Sequence, residues 1–133
     1  MAIPSETGCC TTKDSGAIVT GFQNQNESIF ISNVMKTELG STGSNGYVIA
    51  ATRTPSCANQ DLDATCTALT AFMWTDSIVS GSDGFNWLPN EPVNDAEFTF
   101  KYAVLNEVLG GMSTISDGSA IEGAMCGVAA TVL

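Results

Sequence analysis

A single small α+β domain is the fold class this sequence predicts, on three observations. YVIAATR (47–53) follows the turn-forming STGSNG and has the apolar, β-branched character of a strand. SIFISNVMKTELG (28–40) carries Ile31, Val34, Met35 and Leu39 at helical spacing. No repeat, linker or shift in composition divides the 133 residues, a length that one hydrophobic core can serve.

The elements follow in order. Residues 1–16 combine Pro4, Gly8 and Gly16 with many hydroxyls and no periodicity, which predicts an extended N-terminal arm ahead of a globular domain at 17–133. GAIVTGF (16–22) reads as a short strand ended by the polar QNQNE. Residues 28–39 fit a helix with Ser28 as N-cap and Gly40 as C-cap, although the β-branched IFI start fits a strand as well. DLDATCTALTAFMW (61–74) is also two-sided. Leu62, Cys66, Leu69 and Met73 make a helical stripe, alternating threonines suit a strand, and the capping capacity of Asp61 or Asp63 tilts the reading to helix. SGSDG (80–84) breaks the chain, and FNWLPNEPV (85–93) is irregular with aromatics packed on the core. Asn94-Asp95-Ala96-Glu97 has the spacing of a capping box, and Phe98, Tyr102, Leu105 and Leu109 follow at i, i+4, i+7 and i+11 before Gly110-Gly111. This pattern predicts a helix over 95–109. Ser119 with Glu122 is a second cap-like pair, but glycines weaken the helix after it, and 128–133 serves equally as a strand.

Charge excludes several functions. Lys13, Lys36, Arg53 and Lys101 face 14 acidic residues, for a net charge of −10. Such a surface repels nucleic-acid phosphates and anionic membranes alike, and no apolar run approaches the roughly 18–20 residues of a membrane helix. Charged residues make up 14% of the chain, below the roughly 25% usual in soluble domains. Serine, threonine, asparagine and glycine take their place, which suits a subunit partly covered by neighbours. The first ten residues, MAIPSETGCC, lack the basic and apolar regions of a secretory signal, so the expectation is synthesis in the cytoplasm and release by another route.

Chemistry is constrained by the absence of histidine. Ser–His and Cys–His nucleophile systems are excluded, and zinc, copper and iron sites lose their usual imidazole. Five cysteines (Cys9, Cys10, Cys57, Cys66, Cys126) contain no C-x-x-C pair for a thiolate zinc site. A Cys57–Cys66 disulfide would close a short loop, a link of about 2.5–3 kcal/mol by chain entropy. The alternative is Cys66 as a small apolar residue on a buried stripe. Cys9 and Cys10 read as structural, packed under the arm or bridged to another segment. The odd total leaves at least one thiol free or paired between chains. The carboxylate pairs Asp61/Asp63 and Asp95/Glu97 could act as general acid and base, but both stand at predicted helix starts, where capping explains them. SDG (82–84) and SDGSAIE (116–122) supply too few ligands for calcium. GSTGSNG (40–46) lacks the lysine of a phosphate loop. The sequon Asn26-Glu27-Ser28 has meaning only in a secreted chain. Trp74, Phe85 and Trp87 read as core or interface anchors rather than a ligand-stacking platform.

The overall character, a short, acidic, hydroxyl-rich chain with several cysteines and opening on residues 1–8 as MAIPSETG, resembles small virion proteins of tailed phages, capsid cement or decoration proteins above all. The resemblance implies a small domain clamped on the capsid surface, with arm 1–16 adding contact area and Phe85 and Trp87 as anchors. The expectation is therefore a non-catalytic structural subunit of the virion, with no cofactor and no metal. Its partners are capsid or other virion proteins, in a homo-oligomer or bound to a lattice, with neither nucleic acid nor membrane. A tail or connector subunit is one alternative. Another is a small enzyme or ligand-binding domain using carboxylates, with or without calcium.

Overall fold

The computed structural model describes residues 10, 16–38, 46–94, 101–116, 121 and 123–128. Among them lie a helix and seven strands, so the α+β class holds. Helix α1 (Gln25–Glu38) sits between strands β1 (Ile18–Val19) and β2 (Tyr47–Arg53); β3 (Phe72–Trp74), β4 (Tyr102–Asn106), β5 (Gly111–Ile115), β6 (Gly123–Ala124) and β7 (Cys126–Gly127) follow. The larger sheet runs β3-β2-β4-β5 with antiparallel neighbours, and β6 joins β2 in parallel. β1 and β7 form a separate two-stranded pair. Most of the expected arm 1–16 lies outside the described residues.

β2 occupies the span its sequence predicts, and its position explains its composition. Both faces of the sheet are covered there. Ile49 and Ala51 belong to the main core with Phe22, Met35, Phe72, Trp74, Phe85, Leu105 and Met112. Val48 turns to a smaller cluster with Val104 and Ile115 on the opposite face. A strand buried on two faces reads as a continuous apolar run rather than an alternation. Its pairing with β4 shifts register between Val48 and Thr52, which bends the strand.

α1 settles the helix-or-strand question at 28–38 in favour of helix, but its cap lies further upstream than Ser28. Asn24 Oδ1 accepts the Glu27 N–H at 2.9 Å, and Glu27 Oε2 reaches back to the Gln23 N–H at 3.2 Å. This is a variant of the capping box in QNQNE, with Glu27 reaching one residue past the cap to Gln23. Ser28 instead starts the buried face, followed by Ser32 and Met35 at i+4 and i+7. Ile31 packs beside them, whereas Val34 is exposed. Leu39 and Gly40 lie outside the described residues.

Two helix expectations fail. The 61–74 segment is an irregular loop that ends in β3. Its threonines compete with a helix: Thr70 Oγ1 accepts the Thr67 N–H and donates to Thr65 O. A disulfide also pulls Cys66 back to Cys57. The helix over 95–109 is replaced by β4 and a turn at 107–110, while 95–100, including Phe98, lies outside the described residues. Ala103 and Leu105 face the main core, and Val104 faces the smaller cluster. Pairing on both edges, to β2 and β5, supplies the backbone bonds a helix would have supplied internally. Leu109, the last residue of the imagined stripe, is 66% exposed on the β4–β5 turn. Gly110 closes that turn at φ +75°, a conformation glycine adopts without strain.

Two disulfides complete the frame. Cys57–Cys66 spans 9 residues, as one of the two sequence readings proposed. Cys10–Cys126 spans 116 residues and ties the start of the chain to β7. By chain entropy the short loop contributes about 3 kcal/mol or less and the long one about 4.7 kcal/mol.

The strand reading of 102–106 separates two leucines that a helix would treat alike. Leu105→Ala should cost about 2–5 kcal/mol, since the side chain is sealed in the core. Leu109→Ala should stay within about 0.5 kcal/mol of wild type. Urea denaturation of both variants checks this, and equal losses would restore the helix.

Candidate functional site

The residues singled out from the sequence gather in the loop-rich half that follows β2. Trp74 lies on β3, and Phe85 and Trp87 lie on the irregular segment after Gly84. Trp74 and Phe85 stack at 4.7 Å between ring centroids, and Phe85 and Trp87 at 6.0 Å. Phe22 meets the edge of Trp74 at 6.2 Å, and Phe72 meets Trp87 at 5.1 Å. Five rings thus form one connected spine. Trp74 and Phe85 are buried, and Trp87 is half-buried with its Nε1–H donated to Ala68 O at 2.7 Å. Of the core-or-interface reading, the structure therefore assigns these rings to the core. They hold the long loops down on the sheet and offer little surface to a partner.

Glycines let the spine close. A Cβ on Gly21 would fall 2.1 Å from the Trp74 ring, and one on Gly84 would fall 1.7 Å from Phe22 O. Both positions are read from the packing and carry no special motif in the sequence.

Several carboxylates are engaged by the fold. Asp76, which sequence reading missed, is the most connected. Its Oδ2 accepts from Thr20 Oγ1 at 2.7 Å and from the Gly21 N–H at 3.0 Å. Its Oδ1 accepts from the Ile78 and Val79 N–H groups at 3.1 and 2.9 Å. One side chain therefore locks the loop after β3 to the chain leaving β1. The only signal available was local: Asp-Ser-Ile-Val has the spacing of an Asx turn. Glu91 Oε2 accepts from both the N–H and the hydroxyl of Thr114, at 3.1 and 2.7 Å. Asn94 Oδ1, expected to cap a helix, accepts the Leu62 N–H across to the disulfide loop at 2.9 Å.

The Asp61/Asp63 pair separates in role. Asp63 caps the loop by accepting the Thr65 and Cys66 N–H groups at 2.8 and 2.7 Å, so the capping explanation holds with a turn in place of a helix. These bonds, the Cys66 N–H first and then Thr65, hold the Asp63 carboxyl below its ordinary range. The Asp95/Glu97 pair lies outside the described residues. Among the described residues no group of three or more cysteine or carboxylate side chains is placed to share a metal ion.

Arg53 is nearly sealed at 2% exposure. Its Nη2 donates to Val93 O at 2.9 Å, and its guanidinium lies 4.9 Å from the centre of the Phe72 ring. What the surface offers instead is apolar. Phe30 on α1, Leu69 and Met73 near β3, and Val108 and Leu109 on the β4–β5 turn are all exposed. Leu69 stands between two shallow clefts of about 410 and 400 Å³; the first reaches Met73 and Trp74, and the second reaches Asn26 and Asp83.

No protein-family model matches the chain, and no curated protein sequence does. Among solved structures it is similar to ovocleidin-17, a major protein of the Gallus gallus eggshell calcified layer. The TM-score is 0.54 at 13% identity, over 98% of this chain and 86% of that one. The likeness extends to the fold.

Two outcomes test these assignments. Asp76→Ala should destabilise the domain by about 2–4 kcal/mol, because it leaves main-chain N–H groups without their charged acceptor; thermal melts of the variant measure it, and a neutral result would reject the hub. Asp63 has a folded pKa below its unfolded one, so its stabilising effect is present above the unfolded carboxyl range and is lost as pH falls through the depressed value. An NMR titration should find Asp63 ionising below about 3.9, the ordinary aspartate value.

Proposed function

We propose that the chain is a non-catalytic assembly subunit, which binds other protein on the outside of a larger structure and in an oxidising medium. The observation that carries this reading is the engagement of Asp63, Asp76, Glu91 and Arg53 by the fold itself, while Leu69, Val108 and Leu109 remain on the surface. General acid–base chemistry needs carboxylates free to meet a substrate, and protein recognition needs apolar side chains free to meet a partner.

The medium follows from the two disulfides, which persist where thiols are not kept reduced. Four of the five cysteines take part in these bonds, and Cys9 lies outside the described residues. The resemblance to capsid cement proteins would make a virion shell the partner. Ovocleidin-17 belongs to the calcified layer of an eggshell. Fold alone carries no function, but the two settings share a layered structure outside the cytoplasm, and that shared part is the proposal. Net charge of −10 favours a partner surface with basic character over nucleic acid or anionic lipid.

The exposed β4–β5 turn gives the test. Leu109→Asp should leave the melting temperature nearly unchanged, since the side chain packs on little, and should weaken association at least tenfold. Light scattering across a concentration series reads self-association, and co-sedimentation with capsid shells reads the virion form. A strictly monomeric chain that binds no protein surface would end the assembly reading.

A further inference from the structure

We infer that Asn26 is an N-glycosylation site, modified on the extended chain before α1 closes on the sheet. The inference rests on the oxidising-medium half of the proposed function and goes beyond it to a covalent modification and a secretory route, which replaces the cytoplasmic synthesis expected from residues 1–10 and the phage-virion setting.

Asn26-Glu27-Ser28 is the sole Asn-X-Ser/Thr triplet in the sequence. Four other asparagines are engaged by the fold, and the exposed Asn33, Asn59 and Asn90 begin no such triplet. Asn24 caps α1, Asn86 Nδ2 donates to Gly110 O, Asn94 accepts from Leu62, and Asn106 accepts from Leu109. Asn26 stands exposed in the first turn of α1, and its side chain makes no hydrogen bond among the described residues. It borders the cleft of about 400 Å³ shared with Leu69, Ser82 and Asp83, which leaves room for the first sugar.

Two neighbours support the assignment. Phe30, one turn along at i+4, is 68% exposed. The apolar face of a sugar anchored at i would lie over this ring. Ser28 is sealed at 0% exposure, and its hydroxyl has no hydrogen-bond partner among the described residues. A buried, unsatisfied hydroxyl costs stability that alanine would avoid. Ser32 is buried in the same way, so tight packing against the sheet accounts for two small residues. It accounts for the hydroxyl at neither position. At 28 alone the hydroxyl completes a sequon, where it acts in the unfolded chain, and this fixes the order of events: transfer first, helix docking second.

The step balances without redox chemistry. The Asn26 amide nitrogen attacks C1 of a sugar carried on a lipid pyrophosphate. One N–C bond forms, one C–O bond breaks, the amide gives up a proton, and the lipid pyrophosphate leaves with the electron pair.

The experiment is peptide mapping of the chain isolated from its source, with and without an N-glycan-releasing amidase. The expected result is a glycan whose release converts Asn26 to aspartate. A bare Asn26 in chains that carry both disulfides overturns the inference and leaves the assembly role standing. A glycosylated chain that proves monomeric and partnerless supports the inference while ending the assembly role. In secreting eukaryotic cells, Ser28→Ala should lose the glycan and melt no lower than the deglycosylated wild type, and Asn26→Gln should also lose it. A glycan retained by either variant overturns the assignment.

Discussion

One edge of β2 carries the fold. Three segments remote in sequence share it. Val48 O accepts the Met125 N–H at 2.8 Å, the Ala50 N–H donates to Thr20 O at 3.0 Å, and Ala50 O accepts the Thr75 N–H at 2.7 Å. β3 continues the line over Phe72–Trp74. A seven-residue strand thereby gathers the chain after β1, the chain after β3 and the C-terminal strands onto one edge, while β4 takes the other. Each of these contacts closes a long loop, and loop closure is entropically costly before any contact repays it. A covalent tie and a set of carboxylate hydrogen bonds hold these closures: Cys10–Cys126 beside the terminal strands, and Asp76 between Thr20 and the loop after β3.

The aromatic spine is a consequence of this arrangement. Between β3 and β4 the chain makes a long excursion with no described strand or helix of its own. Such a segment stays ordered only if it is packed from beneath. Phe85 stacked on Trp74, and Trp87 against Phe72, supply that packing, and the Trp87 indole N–H also reaches the disulfide loop side through Ala68. At the far edge, Leu88 N–H donates to Met112 O and the Met112 N–H to Asn86 O, so the excursion also covers β5. A sheet edge closed in this way is protected from uncontrolled pairing.

What the sequence disclosed follows the same logic. YVIAATR was legible because a strand buried on two faces is apolar almost throughout, and a turn precedes it. The helix over 28–38 was legible from spacing, though its cap was hidden in QNQNE, a stretch that reads as loop. YAVLN misled because Tyr102, Leu105 and Leu109 happen to fall at helical intervals; only partners on both edges, β2 and β5, decide for a strand. DLDATCTALTAFMW misled because local threonine bonds and a disulfide act on tertiary scale. For the candidate site, Cys57 and Cys66 were marked from loop length and Trp74, Phe85 and Trp87 from composition. Asp76 was legible only as a local Asx turn, since its four bonds come from residues 20–21 and 78–79, and no short window contains both groups.

Burial of Arg53 also changes how the charge should be weighed. The sequence sets four cations against 14 acids, but one of the four is withdrawn to 2% exposure. Lys101 lies 5.9 Å from the Tyr102 ring centre, so its field is partly directed at its own domain. Glu107 is buried to the same 2%, so the exposed surface keeps the acidic excess of the net charge of −10 with fewer cations among the acids. Two copies meeting at short range would repel, and a contact between them must lie where charge is sparse. The β4–β5 turn satisfies this: Val108, Leu109 and Gly110 are uncharged, Glu107 beside them is buried at 2% exposure, and Asn106 is occupied in capping the turn. The fold therefore leaves a small apolar tip on an acidic body, and under the proposed assembly role a partner would be met there by dispersion and burial, with the surrounding field selecting against other anions.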